Sequence, residues 1–60
     1  MTPQDIISRL LDHLDETKRL FAESRASLPR EAEALIDILH DCEQLTQNQV
    51  RLLHRALRRL

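Results

Sequence analysis

Leu35-Ile36-Asp37-Ile38-Leu39-His40-Asp41-Cys42-Glu43-Gln44-Leu45-Thr46-Gln47-Asn48-Gln49-Val50-Arg51-Leu52-Leu53-His54-Arg55-Ala56-Leu57 is the stretch that decides the fold. At about 100° per residue, Leu35, Leu39, Cys42, Thr46, Leu53, Leu57 and the following Leu60 fall on one stripe, bordered by Ile38, Leu45, Leu52 and Ala56. That pattern predicts a long amphipathic helix over about 29–59. Thr46-Gln47-Asn48-Gln49 interrupts the stripe with polar side chains. A capping box from Thr46 to Gln49, stapled by Leu45 and Val50, would break the helix there and give three short helices. Against a break, Leu35 and Leu53 lie about five turns apart in one direction, so the apolar phase does not slip. No Gly or Pro is present to turn the chain. The continuous helix is the expectation, with the break near Thr46 as its alternative.

Working toward the N-terminus, Pro29 sets the boundary. A proline disfavours helical geometry at Leu28 and suits the start of a new helix, with Glu31 and Glu33 at the positive end of its dipole. Before it, Ile7, Leu10, Leu14, Phe21 and Leu28 repeat at helical spacing, with Thr17 and Ser24 in the weak positions. Thr2 as a cap, Pro3 at the first position and Asp5 in the first turn open this helix, expected over about 3–27. Asp15 and Arg19 are spaced for a helix-surface ion pair. The short connection makes the two helices antiparallel neighbours, so the expected fold is all-α, an antiparallel hairpin in a single domain spanning residues 1–60.

The chain has 60 residues, one cysteine and no Gly, Tyr or Trp. A domain this small buries only about 60% of its unfolded surface and usually needs a disulfide, a metal or a partner. One cysteine excludes an internal disulfide, and no cluster of cysteines and histidines points to zinc. A partner remains, most simply a second copy. Both helices carry apolar residues beside the main stripe, and each helix of a four-helix bundle has two neighbours to bury such flanks. The expected core of a homodimeric bundle is Ile7, Leu10, Leu14, Phe21, Leu35, Leu39, Cys42, Leu45, Leu53 and Leu57. Ile6, Leu20 and Ile36 lie outside it and are candidates for contact with another protein. Charge divides along the second helix, with Glu31, Glu33, Asp37, Asp41 and Glu43 early and Arg51, Arg55, Arg58 and Arg59 late. An antiparallel partner would pair these ends, and the same layout suits the dipole of a lone helix.

Candidate chemistries are few. Arg51, Arg55, Arg58 and Arg59, with His54, could touch phosphates, but no aromatic side chain interleaves them and the net charge is −1. Asp37-Ile38-Leu39-His40 has the carboxylate–histidine spacing of metal sites in bundles, yet both side chains fall opposite Leu35 and Cys42 and face water. His13 and His54 have no evident ligand partners. Cys42 on the stripe is most simply a small core residue. No nucleophile–base arrangement, Gly-rich loop or enclosed pocket is indicated, so catalysis, a metal and a cofactor are not expected. No apolar run is long enough for a membrane span and no signal-peptide pattern opens the chain, so a cytoplasmic location is expected.

Ser8-Arg9-Leu10-Leu11-Asp12 resembles the Ser-x-x-Leu-Asp signature of the aspartyl-phosphate phosphatases of the sporulation relay, which are also helical hairpins. That family carries the signature on its second helix and this chain on its first. The hairpin also resembles the Rop family of plasmid copy-number regulators, which dimerise into four-helix bundles and bind paired RNA loops. The local likeness is Met1-Thr2-x-Gln4 and Leu39-His40-Asp41. In the Rop family the first helices bind RNA. Here the outer face of the first helix bears Asp5, Asp12, Glu16 and Glu23, which would repel phosphate, so no RNA-binding residue carries over. The functional expectation is a small homodimer, of the kind phages and plasmids encode, that binds another protein as a regulator, inhibitor or assembly factor. The alternative is an RNA- or DNA-binding regulator using the C-terminal arginines.

Overall fold

A computed structural model describes all 60 residues, Met1–Leu60. The chain forms helix α1 (Pro3–Ser27), a single 3-10 turn (Arg30–Ala32) and helix α2 (Glu33–Arg59). The start of α1 follows from its first residues. The Thr2 hydroxyl accepts from the Asp5 N–H at 3.1 Å, and the Asp5 carboxylate accepts from the Thr2 N–H at 3.3 Å. This reciprocal pair satisfies two backbone donors that the first helical turn leaves open, while Pro3 has no N–H to satisfy. At the other end Leu28 is extended, at φ −83° and ψ 145°, as expected of a residue before proline. The second helix begins later than about residue 29. Pro29 is itself extended and Arg30–Ala32 make one tight turn before α geometry takes hold at Glu33.

Helix α2 runs through Thr46-Gln49 without a break. The Thr46 hydroxyl donates to the carbonyl of Cys42 in the preceding turn, at 2.9 Å, and caps nothing. Of the 50 backbone hydrogen bonds, 46 lie inside helices, so the backbone fixes the rods and side chains alone hold them together.

The rods lie antiparallel, in an elongated body of 46 × 16 × 11 Å. Only Thr46 and Val50 are buried. The seam between the helices is lined by half-buried Ile7, Leu11, Leu14, Thr17, Phe21, Arg25 and Leu28 from α1. From α2 it takes Ile36, Leu39, Glu43, Thr46, Val50, Leu53 and Leu57. At 100° per residue these α2 positions centre about 40° from the stripe drawn from sequence, and the α1 seam is turned by a smaller angle in the same sense. The reason is the width of the stripe, because a single neighbouring helix can cover only one edge of an apolar band wider than one contact.

This rotation sorts the expected residues between the seam and the outer surface of the hairpin. Leu10, expected in the core of a dimer, is 46% exposed in the single hairpin, where Leu11 takes the seam position. Leu35 and Leu45 are also exposed, at 45% and 64%, whereas Ile36, expected to stand free for a partner, is half-buried against α1. Val50 was assigned no place on the stripe and is at its centre. On the surface, Arg19 pairs with Glu16 at 3.7 Å rather than with Asp15. No helix is long and apolar enough to cross a membrane.

Candidate interaction face

The turn of both helices has one consequence for the surface. In α1 it displaces Ile6, Leu10 and Leu20 to one side of the seam. In α2 it displaces Ile38, Leu45, Leu52 and Leu60 in the same rotational sense. Two antiparallel helices displaced in the same sense about their own axes deliver both flanks to the same side of the hairpin. The outcome is one apolar face made by both helices. Its members are well exposed, from 46% at Ile6 and Leu10 to 54% at Leu20, 57% at Ile38, 58% at Leu52 and 64% at Leu45. By the same geometry the reverse side carries Asp15, Lys18, His40, Gln47, Arg51, His54 and Arg58.

The face is not flat. Between the helices it holds an open groove of about 360 Å³, lined by Leu10, His13, Leu14, Thr17, Gln49, Leu52 and Leu53. That both helices line one groove confirms that Leu10 and Leu52 share a side. The groove exists because small or polar side chains occupy its floor and far end. Thr17 turns its hydroxyl back to the carbonyl of His13 at 2.9 Å, which leaves only a methyl group outward. Thr46 does the same one layer on. A threonine satisfied within its own helix can sit on an apolar surface at little cost.

The seam beneath the face is held at its loop end by Arg25 and Glu43. The Arg25 Nη2 donates to Glu43 Oε1 at 3.1 Å, and Nε pairs with Oε2. The side chains are 35% and 17% exposed, so this is a partly desolvated, forked ion pair and the only one between the helices. It fixes the register, with Arg25 level with Glu43, Thr17 with Gln49 and Leu14 with Leu52 and Leu53. Periodicity alone missed it because it registers apolar side chains: Glu43 counts there only among the acidic residues early in the second helix, and Arg25 has no place in the pattern. An arginine and a glutamate at seam phase on antiparallel helices were the available signal.

The remaining candidates are dispersed. Ile6 and Leu20, assigned to a partner, lie on the same face as Leu10 and Leu45, assigned to the dimer core, so the two surfaces expected from sequence are one. Of that expected core, Ile7, Leu14, Phe21, Leu39, Cys42, Leu53 and Leu57 are already half-buried within the hairpin. Arg51, Arg55, Arg58 and Arg59 are all exposed, as is His54, and none is in an ion pair. Asp37 and His40 point into water and Cys42 is a free, half-buried thiol. No three His, Cys, Asp or Glu side chains converge. Ser8 and Asp12 are exposed on α1. No protein-family model matches the chain, and no curated protein or solved structure matches it either.

Proposed function

We propose that this hairpin is a protein-binding module that works as a cytoplasmic homodimer, in the role of a regulator, inhibitor or assembly factor, and that its apolar face is the binding surface. The observation that carries this reading is the one-sidedness of the surface. Exposed leucines scattered singly are ordinary, but a contiguous apolar patch on one side, with polar side chains on the reverse, marks an interaction site. Area supports the same reading. A compact protein of 7.1 kDa exposes about 4,100 Å², whereas the hairpin exposes 4869 Å² and buries two side chains. An element so open gains most of its stability when its face is covered.

The test compares the wild-type chain with Leu45→Glu/Leu52→Glu, a variant that leaves Thr46 and Val50 untouched. A photoreactive amino acid at Ile38 should cross-link to protein in cells in the wild-type background and fail to do so in the variant. Its absence from protein adducts in both, with the chain monomeric in sedimentation, would overturn the reading. The arginine cluster supplies the competing outcome. A gel shift with duplex or loop RNA that weakens steeply with salt and disappears in Arg55→Glu/Arg58→Glu would make the C-terminal end of α2 the functional surface instead.

A further inference from the structure

We infer that the occupant of the apolar face is a second copy of this chain, docked with its connecting turn at the opposite end, so that α2 lies antiparallel to the partner copy's α2 about a two-fold axis passing near Asn48 and Gln49. This inference rests on the reading of that face as a protein-binding surface, and goes on to say what binds and in which orientation.

Two hairpins can stack face to face about a two-fold axis in two ways. With the axis along the helices, the turns share an end and every level of one hairpin meets the same level of the other. With the axis across the helices, the turns lie at opposite ends and each level meets its reflection. The relief of the face separates the two. The groove is centred at the level of Leu14 and Leu52, and Leu45, the most exposed leucine of the face at 64%, stands with Leu20, at 54%, on its loop side. The separation between the two levels along α1 is about 9 Å at the helical rise of 1.5 Å per residue. If the turns shared an end, groove would face groove and bump would face bump, leaving a dry void of a size that protein interiors do not tolerate. If the turns are opposed about the level of Thr17 and Gln49, Leu20 and Leu45 of each copy come level with the groove of the other.

Charge gives the same midpoint independently. Midway between Leu45 and Leu52 lies the Asn48–Gln49 step, and Gln49 is midway between Ile38 and Leu60. The edge of α2 opposite the seam carries exposed Asp37 and Asp41 at one end and exposed Arg55 and Arg59 at the other. Asp41 and Arg55 are symmetric about Asn48, and so are Asp37 and Arg59. An antiparallel α2 pair centred there sets each aspartate against an arginine of the other copy, at both ends. On α1, Glu16 meets Arg19 of the copy in this register, against one like-charge approach of Asp12 to Glu23. With the turns at the same end, Arg55 would instead face Asp12, and the aspartate–arginine pairs along α2 would be lost. The Gln49 side chains meet at the axis, where two amides can bond to each other.

The experiment uses single-cysteine chains in a Cys42→Ser background, with sedimentation run in parallel. Gln49→Cys should oxidise to a disulfide-linked dimer in most of the population, because the axis brings the two copies of position 49 together. A mixture of Leu20→Cys and Leu45→Cys chains, which would meet only if the turns shared an end, should stay uncross-linked. Asp41→Arg should weaken self-association about five- to tenfold at low salt, as should Arg55→Asp, and the double exchange Asp41→Arg/Arg55→Asp should restore it to within about threefold. A dimer that links Leu20→Cys to Leu45→Cys and not Gln49→Cys to itself would overturn the orientation and leave the face as a binding surface. A chain that stays monomeric at a few hundred micromolar would overturn the inference as a whole, while the cross-link at Ile38 would still decide whether the face binds some other protein.

Discussion

Thr46 and Val50 are each 7% exposed, while Leu45 and Leu52, their near neighbours on the same helix, are 64% and 58% exposed. The smaller and more polar pair is inside and the larger apolar pair is outside. If the hairpin were the finished structure, this would be the wrong way round, because burial of a leucine yields more than burial of a threonine. The contrast shows that α2 serves two contacts of different character. Its inner edge uses small β-branched side chains to bring α1 close, and its outer edge keeps the leucines for a surface that the hairpin cannot supply.

The comparison breaks most severely from the inside. Val50→Asp places a carboxylate at the centre of the seam, at a position only 7% exposed. A buried unpaired charge costs at least about 3 kcal/mol. In a domain of this size that lowers the melting temperature by about 12 °C or more. Far-UV circular dichroism should show the helices largely lost at room temperature. A Val50→Asp chain that melts within a few degrees of wild type would mean that the seam is not where the hairpin is held.

From the outside the expected effect is large in association and small in helix content. Leu45→Glu/Leu52→Glu should weaken self-association at least about a hundredfold, since each leucine is worth about 1.5–3 kcal/mol when fully covered. The wild-type melting temperature should rise with protein concentration and the variant's should not. Equal concentration dependence in the two would show that the leucines remain uncovered in the assembled state.

Arg25 and Glu43 test the inner edge at its loop end. Arg25→Met leaves the Glu43 carboxylate, at 17% exposure, beside α1 without its partner. The expected loss is about 1–2 kcal/mol, and Arg25→Met/Glu43→Leu should recover most of it, because the apolar pair has no desolvated charge to compensate. Thermal melts of the two singles and the double give the coupling directly. Additive losses would show that the pair makes no net contribution to the seam.

How much of this was legible in the sequence follows from the same two edges. The ends of α1 were, because Thr2-Pro3-x-Asp5 and Leu28-Pro29 act locally, while the start of α2 lies four residues beyond Pro29, at Glu33. The unbroken course of α2 was too, since the phase of Leu35, Leu39, Leu53 and Leu57 is a property of one helix. The rotation of the seam was not. It depends on which edge of a wide stripe meets α1, and that is set by pairs across the hairpin, such as Arg25 with Glu43, which no periodicity within one helix contains. For that reason Val50 and Leu11, which line the seam, carry no signal of it in the periodicity of either helix. The union of Ile6 and Leu20 with Leu45 and Leu52 into one face was hidden for the same reason. It appears only when both rotations are known and found to share a sense.

The smallest expected effect is the one that separates two meanings of a buried polar group. A threonine at the centre of a seam can fix register by bonding across it, in which case its loss is costly. It can also bond within its own helix, in which case it acts as a small apolar residue. The Thr46 hydroxyl donates to the Cys42 carbonyl at 2.9 Å, which already serves the helix ladder, and has no partner on α1. Thr46→Val exchanges that hydroxyl for a methyl group of similar shape at similar helix propensity. The expected outcome is a gain of about 0.5 kcal/mol, or about 2–4 °C in melting temperature, with sedimentation unchanged. A loss of more than about 1 kcal/mol would mean that the hydroxyl is needed beyond its own helix. The inner edge would then owe its register to Thr46 as well as to Arg25 and Glu43.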